Sequence, residues 1–119
     1  MINSIITGTG SYIPEVVQPN KAFHHNRFYT DDQVLIETPG DVVAEKFENI
    51  TGIRERRYVS EDLDSSSIGL IAAQRAIEDS GIDPETIDQI IFAHNFGDVV
   101  KHTIQTDVLP ALATRVKHG

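Results

Sequence analysis

Cysteine and tryptophan are both absent from this 119-residue chain, and methionine occurs once. Without cysteine these residues hold no disulfide framework, no thiolate-bound zinc or iron–sulfur site and no cysteine nucleophile. Basic residues are scarce: 10 Lys and Arg stand against 18 Asp and Glu, a formal charge of −8 with the five histidines neutral. A chain of that sign repels nucleic-acid phosphates and anionic lipid, so neither nucleic acid nor a membrane is an expected partner. Long apolar runs are missing as well. The uncharged stretch Ser65–Gln74 stops at Arg75, well short of the roughly 18 residues a membrane helix needs. The amino terminus lacks the basic flank of a secretory signal, and Glu15 interrupts it early. A cytoplasmic protein is therefore expected.

What is present is an alternation of periods. Residues 2–7 are rich in β-branched side chains and lead into Gly8-Thr9-Gly10, the pattern of a strand ending in a glycine turn. Asn20 is placed to cap a helix over Lys21–Phe28, and Asp31-Asp32 to cap another short one. After the turn Thr38-Pro39-Gly40-Asp41, the residues Val42, Val43, Phe47 and Ile50 fall at helical spacing. Arg54–Val59 alternates and reads as a loop running into a short strand. The clearest helix spans Ser65–Ser80, capped by Ser65 or Ser66 and closed by Gly81. Its alanines Ala72, Ala73 and Ala76 imply close approach of another backbone. Asp83-Pro84-Glu85 gives one short helical turn. Gln89–Ala93 is a continuous apolar run, typical of a strand buried on both faces. A last helical pattern opens at Pro110 and closes at Gly119. Strand, helical region, strand, long helix, strand, helix is the order of an α/β domain with a mostly parallel sheet and crossover helices. The apolar faces of the last two helices, Ile68–Ile77 and Pro110–Val116, are expected to need a further partner.

Several residue groups invite chemistry. Gly8-Thr9-Gly10 lacks the third glycine and the following helix of a dinucleotide site, since Ile13 and Pro14 stand there; a tight turn is the better account. His24 and His25 are adjacent and do not share a helical face, and His94, His102 and His118 are too dispersed for a metal site. No metal ligand set is expected. Arg54, Arg56 and Arg57 concentrate three of the ten cations within four positions. They form either an exposed strand paired with surface acids or a guanidinium site for phosphate or an acidic partner. His94-Asn95 follows the apolar run at the strand end where α/β ligand sites gather, though a capped strand end reads the same.

Four phrases then line up in order: Gly8-Thr9-Gly10-Ser11-Tyr12-Ile13-Pro14, Thr51-Gly52-Ile53-Arg54-Glu55-Arg56, Ala76-Ile77-Glu78-Asp79-Ser80-Gly81-Ile82 and Ile90-Ile91-Phe92-Ala93. Together they resemble the β-ketoacyl-acyl-carrier-protein synthase III family, condensing enzymes of the thiolase fold in fatty acid biosynthesis. The resemblance implies that residues 1–119 are the amino-terminal part of a thiolase-like domain that is incomplete in this chain. Its catalytic Cys, His and Asn would lie downstream. The implied reaction moves an acyl group from coenzyme A to that cysteine, and malonyl-carrier protein then attacks with loss of carbon dioxide. It needs no cofactor beyond the coenzyme A thioester substrate.

By the same resemblance Thr51 and Arg54, with Arg56 in the same phrase, are candidates for contact with coenzyme A or the carrier protein. Leu109 and Pro110 match an apolar-Pro step that reaches across a homodimer towards the partner's acyl pocket. The Trp and Arg that commonly precede the Thr-Gly-Ile phrase are here Lys46 and Ile50, which points to a diverged acyl donor. Two other readings stand beside this one. A noncatalytic half-domain would bind or dimerise without chemistry. The hydroxymethylglutaryl-coenzyme A synthase branch would need a catalytic Glu after Glu85, and none follows.

Overall fold

The computed structural model describes residues 3–99 and 103–119. The backbone divides into two compact units, Pro14–Ser60 and Met1–Ile13 with Glu61–Gly119.

In the Pro14–Ser60 unit, strand β1 (Val16–Pro19) pairs antiparallel with β2 (Glu55–Tyr58), with Val16 opposite Tyr58 and Pro19 opposite Glu55. The strand expected after Arg54 is thus present. Its partner β1 lies between two prolines, where a proline closing a short edge strand gives up no ladder bond. The helix expected over Lys21–Phe28 shrinks to a 3-10 turn, Asn20–Phe23. Asn20 does not cap it, because its side chain is bonded elsewhere. Asp31-Asp32 caps no helix either. Phe28–Ile36 is a small hairpin-like loop, closed by Ile36 N–H to Phe28 O at 2.8 Å and turned at Gln33, whose φ is 61°. Helix α1 (Gly40–Thr51) follows the expected period and ends at Gly52, with φ 71° and its N–H on Glu48 O. Its buried residues are Val43 and Ala44, whereas Phe47 and Ile50 are exposed.

The other unit is organised around helix α2 (Ser65–Ser80). Its cap is Asp64, one residue earlier than the serines expected: the Asp64 carboxylate accepts from Ser67 N–H at 2.9 Å. Ala72 and Ala76 do admit another backbone. A Cβ on Gly10 would lie 2.2 Å from Ala72 O and one on Gly8 2.5 Å from Ala76 O, so Gly8–Gly10 rests directly on the helix. Thr9 N–H donates to Asp79 at 2.9 Å and Arg75 to Ser11 O at 2.7 Å, which fastens the crossing. Asp83 caps the short 3-10 turn Pro84–Thr86 as expected. Helix α3 (Leu112–His118) buries Leu112 and Val116 and packs on α2. The apolar face of α3 is therefore covered from within, contrary to the expectation that it needs a further partner.

Two expected strands are not formed. Residues 3–7 and 89–93 carry no ladder, and Ile6 and Ile91 are 87% and 82% exposed. Among the described residues the paired strands are antiparallel, so the α/β mixture is present while the mostly parallel sheet and its crossovers are not. The physical reason is that β-branched composition favours extended backbone but supplies no partner for its N–H and C=O groups. Among the described residues no helix is long and apolar enough to cross a membrane.

Candidate functional site

Thr51, Arg54 and Arg56 occupy one corner of the Pro14–Ser60 unit, where α1 ends and β2 begins. The left-handed Gly52 makes the reversal, a conformation that costs glycine nothing and a side-chain-bearing residue about 1 kcal/mol. Thr51 Oγ1 donates back to Phe47 O at 2.6 Å and accepts from Ile53 N–H at 3.2 Å, so its hydroxyl is committed to the turn. Arg54 is the opposite case. Its side chain is 87% exposed, and its ion-pair partner among the described residues is Glu48, with Nε at 3.6 Å from Oε1. Arg56 is half-buried and occupied: Nη1 donates to Asn20 Oδ1 at 2.8 Å and the guanidinium lies 5.5 Å from the centre of the Phe23 ring. Arg57 pairs with Glu55 at 3.1 Å on the surface. The arginine cluster therefore divides by role: Arg56 and Arg57 are held by internal partners, and Arg54 presents free donors.

Asn20, which sequence reading took for a cap, is the organiser of this corner. It is 9% exposed. Its amide donates to Ile53 O at 2.6 Å and to Glu48 Oε2 at 3.0 Å, while its backbone N–H donates to Arg54 O at 3.1 Å. Asparagine just after a strand is a common turn residue, and nothing in the local pattern marks partners some thirty positions away.

Leu109 and Pro110 belong to the other unit. Leu109 is 81% exposed, and Pro110 O accepts from Arg115 Nε at 3.2 Å. Arg115 also reaches Asp107 at 2.8 Å and buried Asp98 at 3.1 Å, which orders the approach to α3. Asp64 lies near this charge. Burial opposes its ionisation, but hydrogen bonds from Ser67 and Ser66 and the positive charge of Arg115 outweigh that and lower its pKa.

His94 sits beside a cleft of about 380 Å³ lined by Tyr12, Ile68, Gly69, Ala72 and Phe92. Its Nδ1 is 2.8 Å from Phe96 O, and its ring meets Phe92 edge to face. Phe92 occupies the space that any Cβ on Gly69 would need. These contacts hold the His94 ring, although the residue itself is exposed. Among the described residues no three His, Asp or Glu side chains gather as a metal site requires, and His102 lies outside those residues.

No protein-family model matches the chain. Individual relatives do. A β-ketoacyl-acyl-carrier-protein synthase III of Staphylococcus haemolyticus is 34% identical over 114 residues, covering 96% of this chain and 32% of the relative. Those of Bradyrhizobium diazoefficiens and Paracoccus denitrificans are 33% and 31% identical, covering 99% and 100% of this chain and 30% and 32% of the relatives. By sequence, this chain is similar to the amino-terminal third of β-ketoacyl-acyl-carrier-protein synthase III enzymes. It spans about a third of the length of these synthase III relatives. The likeness extends over nearly the whole chain rather than resting on any one residue. Of the two arginines in the phrase Thr51–Arg56, Arg54 is the exposed one.

Proposed function

We propose that this chain is the amino-terminal part of a condensing acyltransferase that joins an acyl-coenzyme A starter to malonyl-acyl-carrier protein, giving 3-oxoacyl-carrier protein in fatty acid biosynthesis. A cysteine beyond these residues takes the acyl group from the coenzyme A thioester, releasing the free thiol. Decarboxylation of the malonyl group then supplies the carbanion that displaces the cysteine thiolate. Within residues 1–119 the role is entrance and scaffold. The observation that carries the reading is Arg54, a guanidinium 87% exposed at a braced corner, with only a long 3.6 Å pair to Glu48, and suited to phosphate. Thr51 shapes that corner and Arg56 braces it. Leu109 and Pro110 are assigned to the acyl-pocket edge of a homodimer. In the whole cytoplasmic enzyme, segments 2–7 and 89–93 are strands of a parallel, thiolase-like sheet, and the thioester substrate is the only coenzyme required.

The test has two arms. The coding sequence is expected to continue into a cysteine within one strand of Gly119, followed by a His and an Asn; a continuation without them sinks the proposal. Acyl transfer assayed on the 119 residues alone is expected to be at background, because the nucleophile is absent.

A noncatalytic half-domain is the second reading, favoured by the absence of cysteine. Its mark is coenzyme A binding that persists with no condensing activity in the whole protein.

A further inference from the structure

The strongest feature outside the residues assigned above is the buried amide of Asn20, and we propose that Asn20 is a positioning residue for the Arg54 anion site. It rests on the reading of Arg54 given under Proposed function.

Arg54 by itself is poorly organised. A long exposed guanidinium has many rotamers to lose when it binds. Two connections from Asn20 reduce that freedom. The first is to backbone: the side-chain amide holds Ile53 O at 2.6 Å, and the Asn20 N–H holds Arg54 O at 3.1 Å. These bonds fix the peptide planes on either side of Arg54's Cα. The second is to charge: the remaining amide proton pins Glu48 Oε2 at 3.0 Å, which leaves Glu48 Oε1 facing Arg54 Nε at 3.6 Å. That ion pair is too long to occupy the guanidinium, yet it biases where the head stands. Arg56 completes the clamp by donating to Asn20 Oδ1, which sets the amide's orientation. One buried side chain thus connects the loop, the helix and the strand around the open cation. A site preorganised in this way loses less entropy on binding than a free arginine does.

The experiment compares the protein with Asn20→Ala, Asn20→Ser and Phe23→Leu variants. Coenzyme A binding is measured by calorimetry, and amide hydrogen exchange is followed over residues 49–56. Asn20→Ala is expected to weaken coenzyme A at least tenfold and to speed exchange over residues 49–56 at least tenfold, with α2 unchanged. Asn20→Ser serves if the alanine variant does not fold: one hydroxyl cannot hold Ile53 and Glu48 together, so the same direction is expected. Phe23→Leu removes the ring under Arg56 and leaves the amide contacts in place. It is expected to lower the melting temperature while keeping coenzyme A affinity within twofold, which separates positioning from general stability.

Wild-type affinity in the Asn20 variants, or exchange unchanged over residues 49–56, overturns the inference. Equal loss of affinity in Phe23→Leu does so as well. Failure of the unsubstituted protein to bind coenzyme A removes the functional reading of Arg54, and exchange alone then decides whether Asn20 organises the corner.

Discussion

Asp98 and Ser66 are joined by a buried hydrogen bond: Asp98 Oδ1 accepts from the Ser66 N–H at 2.8 Å, across 32 positions of sequence. Asp98 is 3% exposed. Its other oxygen faces Arg115 Nη1 at 3.1 Å as an ion pair, without a hydrogen bond among the described residues. The start of α2 is thereby tied through one carboxylate to the arginine of α3. Removing Asp98 leaves the Ser66 N–H without its acceptor while Arg115 keeps Asp107, at a cost of about 1–3 kcal/mol. Asp98→Ala is expected to reduce stability by that amount in urea unfolding. Asp98→Asn keeps an acceptor for Ser66 and should cost distinctly less.

Asp64 makes part of the stability depend on pH. Its carboxylate is held below its ordinary pKa once folded, so the folded chain releases that proton more readily than the unfolded chain. The contribution is fully present above the unfolded value of about 3.9 and is lost as pH falls from there through the lowered folded value. Asp64→Ala should cost about 1 kcal/mol as a lost cap at neutral pH. The gap between variant and wild type should narrow progressively below about pH 4, read from denaturant midpoints across that range.

Gly10 lies on the α2 backbone, and a methyl there would meet Ala72 O at 2.2 Å and Ala76 N at 2.4 Å. Neither atom can swing away. Gly10→Ala should destabilise by about 1–3 kcal/mol and release the Thr9 N–H from Asp79, visible as faster exchange of that amide.

Arg54 is bound to little else in the fold. Arg54→Ala should leave stability within about 0.5 kcal/mol while weakening coenzyme A about tenfold, the loss of one charge-assisted contact. Unchanged affinity would show that coenzyme A binds elsewhere.

The accessible surface of the chain is 9957 Å². Even two separate compact bodies of these sizes should expose only about 7,700 Å². The excess includes Ile6, Ile91, Phe96, Ile104, Val108 and Leu109. Association that deepens with concentration is expected in sedimentation. A monodisperse 13.2 kDa species that unfolds cooperatively would contradict it.

Much of the helical structure was legible in the residues. The Ser65–Ser80 helix, its Gly81 terminus, the small-residue face and the Asp83-Pro84 turn are local matters of period, cap chemistry and φ, and all appear where the residues place them. The cap itself was misplaced by one residue, because Asp64 and the adjacent serines are chemically equivalent candidates until the backbone chooses. The apolar segments 3–7 and 89–93 read as strands and are not paired. Extended propensity belongs to a segment, whereas a ladder belongs to two, and among the described residues neither segment is paired. For the candidate site, the Thr51–Arg56 phrase named residues that share one corner, without distinguishing its two arginines from each other or from the neighbouring Arg57. Only burial and partners separate Arg54 from Arg56 and Arg57.

The sequence by itself determined the resemblance to synthase III, the sign of the charge, the absence of a cysteine nucleophile from these residues and the long helix. Each of these follows from composition or from interactions within a few residues. The tertiary structure decided what Asn20, Asp98 and Gly10 do. Their partners lie tens of residues away, and hydrogen bonding and close packing act over a few ångströms of space regardless of distance along the chain.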